Sequence, residues 1–71
     1  MRLTIEIERE DDGRVLAEIS ALPGVMAYGS SQAEATARVK ALALRVLAER
    51  IEHGEPLPVE IDPLFSTSNA A

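Results

Sequence analysis

SQAEATARVKALALRVLAERIEH, residues Ser31 to His53, reads as one long amphipathic helix. Ala35, Val39, Leu42, Ala43, Val46, Leu47 and Ile51 recur at spacings of three and four, which draws an unbroken apolar stripe along one side of a 3.6-residue repeat. Such a stripe needs a surface to lie on. Its five large side chains are each worth roughly 1.5 to 3 kcal/mol when fully buried. Ser31 and Glu34 have the spacing of a capping box: the serine oxygen accepts the amide of the third helical residue, and the glutamate reaches back to the amide of Ser31 itself. At the other end Gly54 supplies a left-handed stop, and Pro56 and Pro58 prevent the helix from resuming. His53, alone at that end, reads as a capping residue rather than as a ligand or catalyst.

The chain before the helix supplies the surface. Leu3, Ile5 and Ile7 alternate with Thr4, Glu6 and Glu8, the period-two pattern of a strand with one dry and one wet face. Asp12-Gly13 accepts the positive φ of a hairpin turn, after which Val15, Ala17 and Ile19 alternate with Leu16, Glu18 and Ser20. Leu22-Pro23-Gly24 breaks this second strand, and Val25 to Tyr28 makes a short third one, ended by Gly29. Its facing is open: if Val25 and Ala27 point to the core, Met26 and Tyr28 join Leu16 on the opposite face. Beyond the helix, Val59-Glu60-Ile61 reads as a short fourth strand, closed by Asp62-Pro63. The expected fold is α+β, in the order β-β-β-α-β: a three-stranded antiparallel sheet plus a short fourth strand, with one long helix on one face. A single domain is expected over residues 1–62, with a partly flexible tail over 63–71.

Composition narrows the functions such a domain can carry. A chain of 71 residues buries only about 60% of the surface its unfolded form exposes, and without cysteine it has no disulfide to compensate. A bound cofactor or a partner subunit is the remaining source of stability. A net charge of -5 and only two aromatic residues, Tyr28 and Phe65, argue against direct nucleic-acid binding, which needs a basic patch and stacking rings. The natural complement of such a chain is a basic protein. The longest helical stretch is interrupted by Arg38, Lys40, Arg45, Glu49 and Arg50, so no membrane span is expected and the cytoplasm is the default location. Glu6, Glu8 and Glu18 share the wet face, yet no His, Asn or further Asp joins them, and they read as solvated carboxylates rather than as a metal or acid/base site. No catalytic, cofactor or metal-ligating residue is assigned, and no enzyme activity is expected. The candidate partner-binding residues are Glu6, Glu8, Leu16, Glu18, Met26 and Tyr28. Leu44 and Ala48 widen the apolar arc of the helix beyond what one sheet face needs, and with Phe65 they are the candidates for self-association.

Taken in order, the Asp-Gly hairpin, Leu22-Pro23-Gly24, the Gly29 to Ala35 turn into the helix and Gly54-Glu55-Pro56-Leu57-Pro58 resemble the N-terminal domain of HicB-like antitoxins, from about Leu3 to Ile61. The resemblance implies a partial ribonuclease H fold with strand order 3-2-1-4, the fourth strand parallel to the first across a right-handed helical crossover. It also implies a bacterial or archaeal, homo-oligomeric antitoxin that blocks a small basic HicA-like toxin, an mRNA-cleaving nuclease. Two features depart from that family. The chain ends before a C-terminal DNA-binding module, and Ala21 and Val25 stand where an acidic residue and a cysteine are frequent. The carboxylate cluster of a two-metal nuclease is not assembled. The rival expectation is a solitary homo-oligomeric domain with no toxin partner.

Overall fold

The alternation along the first thirty residues becomes a sheet with two distinct faces. The computed structural model describes residues 2–59 and 61–69. Strands β1 (Glu6–Arg9), β2 (Val15–Glu18) and β3 (Met26–Gly29) pair antiparallel in the order β1-β2-β3, and helix α1 (Gln32–Glu52) packs on one face. Val15, Ala17, Ile19, Leu22 and Val25 are buried against Ala35, Val39, Ala43 and Leu47 of the helix, and among the described residues no polar side chain joins them.

Local chemistry places the turns. The Gly13 amide donates to the Glu10 carbonyl at 3.1 Å and the Glu10 amide to the Arg14 carbonyl at 2.8 Å, a three-residue hairpin loop whose last residue, Gly13, has φ 91. Pro23 and Gly24 (φ 85) fill the two central positions of a type II turn, closed by the Val25 amide on the Leu22 carbonyl at 3.0 Å. Leu22 is more than a turn residue: its side chain is fully buried. The facing of β3 resolves with Val25 inside and Met26 and Tyr28 exposed at 43% and 41%.

At the start of α1, Ser31 Oγ accepts the Glu34 amide at 3.1 Å as expected. The returning half of the box differs. Glu34 Oε1 accepts from the amide (2.8 Å) and hydroxyl (3.3 Å) of Ser30, not from Ser31, because the extended cap residue turns the preceding one toward the carboxylate. The other end is a Schellman motif: the Glu55 amide donates to Arg50 at 2.8 Å and the Gly54 amide to Ile51 at 3.1 Å, with Gly54 at φ 70 and His53 as the cap.

Three expectations need correction. Ile51 ends the apolar stripe but is 52% exposed. Twenty-one helical residues span about 31 Å and four-residue strands about 13 Å, so the last turns of α1 overhang the sheet. Second, the ladder of β1 begins only at Glu6: Leu3 and Ile5 pack against the core half-buried, but β2 has by then turned into the Ile19–Val25 loop and offers them no partner. Third, the fourth strand is not seen. Val59 and Ile61 lie in turns, Glu60 falls outside the described residues, and the Pro58 carbonyl accepts from the amides of both Ile61 (2.9 Å) and Asp62 (3.1 Å). Those bonds wind the segment into a helical turn that leads to a short 3-10 helix at Asp62–Leu64, and proline at 58 and 63 withholds two donors a ladder would use. The expected order 3-2-1-4 is therefore observed as 3-2-1. Ile61 is buried all the same, at the open end between helix and sheet, and Ser66 to Asn69 are exposed.

Candidate functional site

The sheet register gathers one set of candidate residues. Glu6 pairs with Glu18 and Glu18 with Met26; Glu8 pairs with Leu16 and Leu16 with Tyr28. All six candidate partner-binding residues thus form two adjacent rows of three on the face turned away from α1. Cross-strand neighbours lie about 5 Å apart, so the rows are one continuous surface, carboxylates toward β1 and apolar groups toward β3. A shallow open depression lies between Glu6, Glu8, Leu16 and Glu18.

Polar contacts frame this face at two corners. Ser20 Oγ donates to Glu6 Oε1 at 2.8 Å. At the opposite corner the Arg14 guanidinium stands 4.5 Å from the centre of the Tyr28 ring, a cation-π contact, while its Nε donates to Asp12 Oδ2 at 2.7 Å. The Arg14 amide also donates to Asp12 Oδ1 at 3.1 Å, and that bond, with the guanidinium beside it, holds the Asp12 carboxyl below its usual range. Asp12 in turn raises Arg14. Neither residue stood among the sequence candidates. The parity of the strand carries the signal for Arg14, which shares the even-numbered face with Leu16 and Glu18.

Chemically, the face suits a cationic side chain. An ammonium or guanidinium can settle among Glu6, Glu8 and Glu18 while its aliphatic stem lies on Leu16 or Met26. Among the described residues no three acidic or histidine side chains converge as a metal ion requires. His53 stays exposed at the cap of α1.

The self-association candidates fall on the other side of the molecule. Helix α1 lies across β3 and β2 rather than β1. A bare apolar strip is left between the inner side of the first strand and the flank of the helix. Leu44, Ala48 and Phe65 all line it, together with Leu3, Leu47, Ile51, Ile61 and Leu64, and it continues over Ile5, Ile19 and Ala43 with Lys40 at its rim. Leu44 is 69% exposed and Phe65 64%. Leu3 and Ile51 are not among the self-association candidates, because each looks like a core residue until the helix is seen to miss β1.

No helix among the described residues is long and apolar enough to cross a membrane. Comparison with protein-family models, with curated proteins and with solved structures finds no match to this chain, so both surfaces are read from their own residues.

Proposed function

We propose that this chain is a non-enzymatic, cytoplasmic protein-binding module of the HicB-like antitoxin kind, which neutralises a small basic HicA-like toxin that cleaves mRNA. The observation that carries the reading is the outer sheet face, where Glu6, Glu8 and Glu18 adjoin Leu16, Met26 and Tyr28, with Arg14 over the Tyr28 ring at the corner away from Glu6. A potential of this sign attracts a basic nuclease and speeds its encounter, and the apolar row supplies contact area once it has docked. The net charge of -5 acts in the same direction.

Co-purification of the full chain with the product of an adjacent small basic reading frame tests the proposal. Glu6→Lys with Glu18→Lys is expected to weaken the complex by at least about tenfold, mostly through slower association, and to weaken its dependence on salt. Glu49→Lys with Glu52→Lys, on exposed helix positions, serves as the control for net charge. Absence of a binding neighbour, or equal losses from both pairs of changes, rejects the antitoxin reading. The alternative is a solitary homo-oligomeric interaction domain, and the bare strip between β1 and α1 is the feature that favours it.

A further inference from the structure

We propose that the open edge of β1 pairs antiparallel with the same edge of a second copy, in the register that sets Ile5 opposite Ile5. The two sheets then join into one of six strands, and the bare strips between β1 and α1 come to line one shared trough.

The backbone parity of β1 is the first support. The bond from the Glu10 amide to the Arg14 carbonyl makes the even-numbered residues of this strand the ones bonded to β2, and the bond from the Ile19 amide to Val25 gives β2 the matching alternation toward β3. Ile7 and Arg9 therefore turn their amides and carbonyls outward, and β1 prolonged toward Arg2 with the same alternation would add those of Leu3 and Ile5. Among the described residues nothing hydrogen-bonds to that outer edge. An edge with neither proline nor lysine is a template for another strand.

Charge selects both the copy and the register. With Ile5 opposite Ile5, Ile7 meets Leu3 of the second copy on the inner face, while on the outer face Glu6 meets Thr4 and Glu8 meets Arg2. The opposite-charge pair of Glu8 and Arg2 recurs by symmetry. Sliding the strands to put Ile7 opposite Ile7 would instead confront Glu6 with Glu8 twice. An unrelated strand would have to reproduce this pattern, whereas a second copy supplies it automatically.

Area is the third support. The chain exposes 5261 Å², where a folded monomer of 7.6 kDa is expected to expose about 4,300 Å². Part of the excess is the extended run after Phe65, which stretches the molecule to 58 × 23 × 16 Å. Leu44, Ile51, Leu64 and Phe65 of the strip, each more than half exposed, add to it, and a second copy laid along the strip would cover them. The geometry also gives Leu64 and Phe65 a task. Two helices, each centred between β2 and β3, would stand about four strand spacings or 19 Å apart, too far to touch directly. Leu64 and Phe65 of each chain lie beside that trough and can fill it.

Sedimentation equilibrium of the full chain tests the proposal, with far-UV circular dichroism to check folding. The unaltered chain is expected at twice 7.6 kDa at about 50 μM. Leu44→Glu, at a position 69% exposed in the single chain, is expected to raise the dimer dissociation constant at least tenfold while the spectrum is kept. Arg2→Glu is expected to raise it about threefold to tenfold, and adding Glu8→Arg is expected to restore it. A chain that stays monomeric at every concentration overturns the proposal, whether its own segment around residues 59–61 or a foreign partner takes the edge. A dimer indifferent to Leu44→Glu and to the charge exchange overturns it as well. Because toxin binding is assigned to the outer face, Leu44→Glu leaves that interaction intact, and the two proposals fail independently.

Discussion

At Gly29 the strand backbone lies close against the start of α1. A methyl group added there would lie 2.5 Å from the amide nitrogen of Ala35 and 3.0 Å from both its Cα and the carbonyl carbon of Glu34, all backbone atoms at the start of α1. Nothing flexible can yield. Gly29→Ala is expected to cost about 2 to 4 kcal/mol in urea unfolding, by forcing the helix off the sheet. Gly24 makes the useful contrast, since an added carbon there meets nothing within 4 Å but must accept φ 85, and Gly24→Ala is expected to cost only about 1 kcal/mol. Five residues past Gly29, Glu34 is held below its ordinary pKa of 4.5, first by the Ser30 amide and then by Arg38, its ion-pair partner at 3.5 Å. A depressed carboxylate contributes its stabilisation in full above the unfolded value and loses it as pH falls through the folded one. Thermal melts from pH 7 down to about 3 are therefore expected to show the helix start weakening below about pH 4.5, with Glu34→Gln flattening that part of the curve.

Along α1, position relative to the sheet outweighs hydrophobicity. Leu47 is buried over the sheet, and Leu47→Ala is expected to cost about 2 to 4 kcal/mol; Ile51, one turn later on the same stripe, overhangs it, and Ile51→Ala is expected to cost under about 1 kcal/mol in the dilute single chain. Chemical denaturation at low concentration measures both. The same contrast shows which parts of the fold can be read from residues alone. The ends of α1 were legible because Ser31, Glu34 and Gly54 act on backbone groups within four residues of themselves. The two faces of the sheet were legible because period-two alternation needs no knowledge of what packs on it, which is why the six outer-face candidates come together. Neither Ile51 nor Leu3 could be placed that way, since their exposure depends on the length of α1 against the strands and on which strands it crosses. The alternation of Val59 and Ile61 looked like a strand for a similar reason: two apolar residues separated by one position also fit a turn, and the Pro58 carbonyl decides between them.

At the scale of the whole molecule the core is thin. Its fully buried members include Ala17, Ala35 and Val39; the chain has no cysteine, and among the described residues no buried ion pair reinforces them. A domain this small that leaves Leu44, Leu64 and Phe65 in water gains substantially from any association that covers them. The melting temperature is accordingly expected to rise with chain concentration, by a few degrees between about 1 and 100 μM, and to lose that dependence in Leu44→Glu. A concentration-independent melt in the unaltered chain would separate stability from assembly.

Tyr28 has one more consequence. The chain contains no tryptophan and this single tyrosine, whose ring lies under Arg14 on the outer face and far from the strip along β1. Its ultraviolet emission is therefore a built-in optical label for one surface alone. A tyrosine-free ligand seated on the acidic rows is expected to alter the intensity by displacing the guanidinium, while pairing of two copies through β1 should leave the signal unchanged.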